Sequence, residues 1–443
     1  MKKISNFNVV NIIPFVLLAF ISIEFIINID FFSKNIYESY SNKVTQTKPY
    51  QDVFLGISVF FLISLLVLSV TGYSNYFKFW IVKGFVTLIL LIPYEVKYVV
   101  DAFYYAKMAG SYYDYDLLYR IWGDGGTTRI ITFYHYLSYV VGDGYYALKV
   151  TSSFIGFLGI SLFYKSYLYI LSKTHIQSND AQFSYILFLF PSIIFWSSGL
   201  GKESLMLFSI GLFVYSFLRF IDKITVKYFI LITLSILGMF LVREWMAVIA
   251  LFSMGLFYLT HLTWNRLMIL ALLVMPVYFF TSELFSLRAI VSFESIFELM
   301  THTSKVMTVA GGEGASSVDP TVYNGFGDYL YYYIPNMFTT LFRPMPWDIK
   351  NIFTLIASIE NIFLLYFFTK FIIFKFSIVV SNKYILFLFL FLFCWSLLYV
   401  VISPTNLGAA IRFKVQVLPI ILIILWASRL IFNIVPQQIK TTI

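Results

Sequence analysis

The sequence predicts an all-α integral membrane protein with about twelve transmembrane helices and outward-facing loops. Three observations predict it. Hydrophobic residues make up 60% of the 443-residue chain and charged residues only 12%, with a mean hydropathy of +0.83. Soluble domains carry roughly twice that charge fraction. Apolar runs close to the length of a bilayer span recur along the chain, and the strict alternation of a membrane barrel is absent. The 50 Phe and 34 Tyr suit a chain whose aromatics meet lipid and its boundaries.

Taken in order, the runs place spans near 9–28, 52–71, 77–95, 146–171, 182–198, 203–220, 228–242, 245–262, 267–280, 351–372, 384–402 and 414–433. Lys2 and Lys3 before the first run resemble a signal peptide, but no small-residue cleavage site follows, so a retained span is expected. Lys78, Lys173, Arg219, Lys223, Lys227, Arg266, Lys370, Lys375, Lys383 and Lys440 then fall on one side, together with the N-terminal lysines. The positive-inside rule makes that side cytoplasmic and puts both termini there. The net charge of +9 is read as cytoplasmic lysines facing anionic lipid, not as a nucleic-acid surface. Cys394 is the single cysteine, so no internal disulfide can form.

Three longer segments face outward: 29–51, 96–145 and 281–350. Residues 281–350 hold a glycine-rich run, Gly311-Gly312-Glu313-Gly314, and end in Arg343-Pro344-Met345-Pro346-Trp347-Asp348. The tyrosines at 329 and 331–333 argue against disorder. A long polar stretch in an oily chain is expected to be functional. Nothing marks a separate soluble domain. Residues 1–443 are read as one polytopic domain, with 96–145 and 281–350 forming a partly folded cap over a site at the outer surface. Ile130–Val141 reads as an amphipathic surface helix carrying His135.

Three passages carry a family likeness. In the first, Asp101 follows a span and is succeeded by an aromatic helix, a Gly125-Gly126-Thr127 turn, Tyr145-Tyr146-Ala147-Leu148-Lys149, then Ser152, Ser153 and Gly156. The second is Phe190-Pro191-Ser192-Ile193-Ile194-Phe195-Trp196-Ser197-Ser198, running into Lys202-Glu203. The third is Arg412-Phe413-Lys414, with Pro419 inside the last span. Together they resemble the GT-C superfamily of membrane glycosyltransferases, in particular the dolichyl-phosphate-mannose mannosyltransferase and aminoarabinose-transferase type. The family's aspartate often follows the first span, whereas Asp101 follows the third. The 281–350 stretch is expected to stand in for the family's soluble C-terminal domain. O-antigen and capsule polymerases are similar in another way: Phe- and Tyr-rich, with about a dozen spans, large outer loops and arginines at the outer face.

The resemblance implies transfer of a sugar from a polyprenyl-phosphate carrier to an envelope glycan, lipid or protein at the outer face of a bacterial inner membrane. Such chemistry needs a base for the acceptor hydroxyl and cations for the lipid phosphate. Asp101 suits the base; the alternative is an aspartate capping a helix. Lys202, after Ser197, Ser198, Gly199 and Gly201, is expected to open a helix and bind an anion there, or to snorkel and pair with Glu203. Its surroundings are not a nucleotide P-loop, since Trp196 and Glu203 stand where Gly and Ser or Thr are needed. Arg243, Arg343 and Arg412 at outer ends of spans suit phosphate through the guanidinium fork, or else serve as anchors and ion pairs.

Asp114, Asp116, His135 and Glu203 are further candidates for substrate or metal. The Asp-x-Asp pair could hold a divalent cation, with a solvated loop as the alternative. Glu360-Asn361 inside a predicted span points instead to proton or cation transport, or to an interhelical hydrogen bond. Three functions are therefore expected in this order: the transferase, an oligosaccharide polymerase using polyprenyl pyrophosphate, and a transporter or lipid flippase.

Overall fold

A computed structural model describes residues 49–72, 74–98, 101–111, 125–174, 181–260, 293–310, 319–376 and 381–441. Among them the secondary structure is helical, without strands. The helices are α1 (Pro49–Thr71), α2 (Asn75–Phe85), α3 (Ile92–Tyr98), α4 (Asp101–Ser111), α5 (Gly126–Val141), α6 (Tyr145–Lys173), α7 (Ala181–Leu189), α8 (Pro191–Trp196) and α9 (Lys202–Asp222). They continue with α10 (Val226–Val242), α11 (Glu244–Leu259), α12 (Phe293–Ala310), α13 (Phe326–Phe342), α14 (Ile352–Lys375), α15 (Lys383–Ile402), α16 (Leu407–Lys414) and α17 (Leu418–Thr441). A π-helical turn, Val86–Leu90, joins α2 to α3 within one apolar span.

Among the described residues, 6 helices are long and apolar enough to cross a membrane: Gln51–Thr71, Asn75–Glu95, Tyr145–Lys173, Lys202–Asp222, Ile352–Ile373 and Lys383–Ile402. The bent pair Leu407–Lys414 and Leu418–Ile431, at 56°, would make a seventh. The expected spans 9–28 and 267–280 lie outside the described residues. Several expected boundaries change. The segment 182–198 is two short helices, α7 and α8, broken ahead of Pro191, where the preceding residue disfavours helical geometry. The segments 228–242 and 245–262 form helices of 17 and 16 residues, each shorter than a full span and separated by the extended Arg243. Arg412 does not begin the last span; it lies in the last turn of α16, before the break.

The 281–350 stretch, expected as a loop-like cap, carries two helices of 18 and 17 residues, α12 and α13. Their apolar positions recur at helical spacing. Phe297 and Met300 of α12, and Tyr329, Tyr333 and Met337 of α13, pack with Tyr323 against Val400 and Val401 at the end of α15. The Gly311–Gly314 run lies outside the described residues.

The chain divides into two compact units, Met1–Ser161 with Ile194–Ser209, and Leu162–Ile193 with Ile210–Ile443. In the first unit, helices approach closely at glycines. A Cβ added at Gly56 would lie 2.4 Å from Cβ of Tyr146, and one at Gly159 would lie 2.6 Å from the backbone nitrogen of Phe208. Small residues at such crossings are how membrane helices gain packing without a hydrophobic driving force. In the second unit, three helix ends meet at Asp222. It accepts from Lys383 at 2.6 Å and from the Tyr384 hydroxyl at 2.7 Å, and Lys173 lies 3.4 Å away. Tyr169 also donates to Asp222, and the Arg219 guanidinium stacks on the Tyr169 ring at 4.2 Å. Lys173, Arg219 and Lys383, assigned to one membrane side by the loop rule, are thus neighbours.

Candidate functional site

In the first unit the polar chemistry gathers around the loop Ser197–Gly201, which leads into α9. Lys83 of α2, only 2% exposed, reaches Oγ of Ser197 at 2.5 Å and Oγ of Ser198 at 3.1 Å. Ser152 of α6 donates to the Gly199 carbonyl at 3.0 Å. The Tyr134 hydroxyl donates to the Gly201 carbonyl at 2.9 Å and lies 3.2 Å from the Gly201 amide. Burial pushes the Tyr134 phenol above its usual range, so it stays a neutral donor. A Cβ at Gly156 would come within 2.7 Å of the Ser197 carbonyl, so glycine is what admits the loop there. The loop is held from three helices, and Lys202 opens α9 as the sequence predicts, with its Nζ 2.9 Å from Oγ1 of Thr127.

Two more buried acids flank this loop's scaffold. Asp52, 1% exposed, accepts the backbone N–H of Tyr146 at 3.1 Å and so closes the first turn of α6. Glu95 pairs with Lys149 at 2.6 Å, both buried. Thr87, in the π-helical turn, shares a hydrogen bond with Ser153 at 2.8 Å. The run Lys149, Ser152, Ser153 and Gly156 therefore forms one face of α6 that meets Glu95, Tyr134, Thr87 and the Ser197–Gly201 loop.

In the second unit Arg243, the extended residue between α10 and α11, is buried and lies over the Phe413 ring at 4.5 Å. Stacking of this kind fixes the guanidinium plane. Phe413 sits beside Tyr399 at 5.3 Å, Tyr399 stacks on Trp395 at 4.5 Å, and the Trp245 indole donates to the Tyr399 hydroxyl at 2.9 Å. Arg412 and Lys414 flank Phe413 in the chain. Lys414 is fully buried, donates to Asn361 and lies 3.8 Å from Oε1 of Glu360. Glu360 accepts the Ser192 N–H at the start of α8 at 2.8 Å. The Asn361 amide donates to the Pro344 carbonyl at 2.9 Å. Next to Pro344, Arg343 forks onto Asp348 at 2.9 and 2.5 Å, and that bond holds the Asp348 carboxyl below its usual range.

The predicted residues fall as follows. Asp101 opens α4 and is exposed, a position where the helix dipole favours an acid. His135 lies on α5 as expected, its Nδ1 donating to the Ala109 carbonyl at 2.7 Å, which ties α5 to α4. Glu203 is buried in the first turn of α9. Asp114 and Asp116 lie outside the described residues. Asp101, His135, Lys202 and Glu203 belong to the first unit and Arg243, Arg343 and Arg412 to the second. Within the second, the network Arg243–Phe413, Lys414–Asn361 and Asn361–Pro344 gathers the stretches that carry all three arginines. The fork of Arg343 is occupied by Asp348, which is the ion-pair alternative for that residue.

Sequence reasoning passed over Asp52, Lys83, Glu95 and the Glu360–Lys414 pairing. The usable signal was the charge itself: an ionisable residue inside an apolar run such as Ile81-Val82-Lys83-Gly84-Phe85 is a functional candidate by default. Among the described residues no group of three or more His, Cys, Asp or Glu is arranged to hold a metal ion.

Fold and composition together define the class, an α-helical membrane protein with polar networks buried inside its helices. The chain matches no protein-family model, no curated protein and no solved structure.

Proposed function

We propose that this protein is a GT-C-like membrane glycosyltransferase. It moves a sugar from a polyprenyl-phosphate carrier to an envelope glycan, lipid or protein at the outer face of a bacterial inner membrane. The observation that carries the reading is the network that draws together the stretches carrying Arg243, Arg343 and Arg412: Arg243 lies on the Phe413 ring, Lys414 donates to Asn361, and Asn361 donates to the Pro344 carbonyl. Cationic stretches drawn together in this way, with Glu360 as the carboxylate beside Lys414, suit a phosphate that gains negative charge as the glycosidic bond breaks. Arg412 is the proposed contact, because its guanidinium fork matches a phosphate in bidentate fashion. Asp101 remains the proposed base. The meeting of Lys173, Arg219 and Lys383 at Asp222 supports the assignment of that end to the cytoplasm, and with it both termini.

A direct binding measurement tests the reading. With the protein in nanodiscs, Arg412→Ala should weaken binding of a polyprenyl-phosphate analogue about ten- to a hundredfold, the worth of a charged hydrogen bond. Arg412→Lys should restore part of it, since the bidentate geometry is lost. Unchanged affinity in the alanine variant would remove the phosphate site.

A second reading, a transporter or lipid flippase, is favoured by one observation: Lys83 and Glu360 are buried well inside spans, where ionisable groups often mark a pathway. It ranks the variants the other way, with Glu360→Gln more damaging than Arg412→Ala.

A further inference from the structure

Around Asp222 the second unit carries more positive charge than its acid can answer. Lys383 lies 2.6 Å from one carboxylate oxygen and Lys173 lies 3.4 Å from the other. The hydroxyls of Tyr169 and Tyr384 donate to the same carboxylate. Asp222 is thereby enclosed, its side chain 14% exposed, whereas those of Lys173 and Lys383 are 43% and 42% exposed. The outward side of the cluster is therefore cationic.

Arg219 sits about one turn before Asp222 on α9. Its guanidinium lies 4.2 Å from the centre of the Tyr169 ring and 5.3 Å from that of Tyr215. Ring faces hold a guanidinium in place without using its N–H groups as ordinary donors. Among the described residues its buried Nε finds no acceptor. The Tyr169 ring also carries Lys173, whose Nζ lies 5.5 Å from its centre. Three cations, Lys173, Arg219 and Lys383, thus face one carboxylate, and two positive charges are left over. Lys223, next in the chain after Asp222, is exposed as well. A surplus held in fixed positions repels itself unless an anion answers it.

The place of the cluster says which anion. The apolar helices Tyr145–Lys173 and Lys202–Asp222 end here, and Lys383–Ile402 begins here, so the cations stand where spans meet lipid headgroups. The next helix, α10, opens at Val226 and leads away from the cluster with an apolar face. Val226, Ile230, Leu234 and Leu237 are all exposed, and their steps of three and four residues put them on one side. A small soluble anion gains nothing from that face, whereas acyl chains do.

We propose that Lys173, Arg219 and Lys383 form a binding site for the phosphate of an acidic phospholipid. Arg219 offers the planar fork that matches phosphate oxygens, and the two lysines flank it as point charges. Asp222 holds the lysines in position and does not itself meet the ligand.

Native mass spectrometry of the delipidated protein in detergent tests the site. The probes are phosphatidylglycerol, phosphatidylcholine and the deacylated headgroup glycerophosphoglycerol. Phosphatidylglycerol should bind more tightly than phosphatidylcholine, and excess deacylated headgroup should not displace it. Arg219→Gln and Lys173→Gln should each weaken its binding about fivefold, the worth of one cation near an anionic headgroup. Arg219 donates no hydrogen bond to Asp222, so its variant keeps the helix ends tied; a parental thermal midpoint without lipid checks this. Lys370→Gln, which removes an exposed cation outside the cluster, should leave binding unchanged. Equal weakening by Lys370→Gln reduces the effect to diffuse charge and overturns the proposal, as does equal affinity for the two lipids. Displacement by the deacylated headgroup overturns the lipid and leaves a site for a soluble phosphate.

Discussion

At the residue scale, the two buried lysines of the first unit should behave differently. Lys149 faces the carboxylate of Glu95 at 2.6 Å, whereas the bonds of Lys83 run to two serine hydroxyls. Removing Lys149 strands a buried carboxylate, which typically costs about 3–5 kcal/mol. Removing Lys83 leaves neutral hydroxyls, one of which, Ser198, already donates to the Ile194 carbonyl at 2.6 Å. Losing such neutral partners costs about 1–3 kcal/mol. Thermal unfolding in detergent should rank Lys149→Met well below Lys83→Met, and Glu95→Gln added to Lys149→Met should recover much of the loss. Equal destabilisation by the two lysine changes would contradict the ion pair. A second residue-scale prediction concerns Asp348. Its carboxyl is held below the usual range, first by the Arg343 hydrogen bond. An acid with a depressed folded pKa contributes stability fully present above its unfolded value, about pH 4, and lost as pH falls through the folded one. Asp348→Asn should lower stability at neutral pH and flatten its acid decline; a parallel decline in both proteins counts against the pair.

At the scale of elements, the approach of α6 to α9 depends on Gly159. Its added Cβ would meet the backbone of Leu207 and Phe208 at 2.6–2.8 Å, and backbone cannot rotate away as a side chain can. Overpacking of this kind costs typically about 1–3 kcal/mol. Gly159→Ala should therefore lower the thermal midpoint, whereas Gly199→Ala, where nothing lies within 4 Å, should not lower it through packing. Equal midpoints for Gly159→Ala and the parent chain would show that the crossing is looser than the structure has it. Helices α7, α8, α16 and α17 illustrate a second point. Their breaks are where buried charges collect: Glu360 receives the amide at the start of α8, and Lys414 ends α16. A broken helix exposes unpaired backbone groups, and in an apolar surrounding a side chain must answer them.

For the whole molecule, the testable property is sidedness. Lys173, Arg219 and Lys383 surround Asp222, so the ends of α6 and α9 and the start of α15 share a face. A cysteine at Ser381, just ahead of α15, should resist a membrane-impermeant maleimide in intact cells. One at Asp319, ahead of α13, should react. Labelling at 381 from outside would invert the orientation and remove the outer-face site with it.

The sequence by itself determined the class. An apolar stretch of about 20 residues has few options besides a span, so Gln51–Thr71, Tyr145–Lys173 and Lys383–Ile402 were legible from composition alone. It also marked Lys202 as the start of a helix, and the Lys149–Gly156 and Arg412–Lys414 runs as places of interest. The tertiary structure decided what those residues touch. Whether an apolar run of 16 or 17 residues spans, bends or breaks depends on its neighbours, as α10, α11 and the α16–α17 bend show. That Arg343 is held by Asp348, that Arg243 lies on Phe413, and that Lys83 ends on two serines 114 and 115 positions away, are matters of packing between distant stretches. Hydropathy is a sum over neighbours in sequence, whereas a buried charge is satisfied by neighbours in space, so only the folded chain could assign its partners.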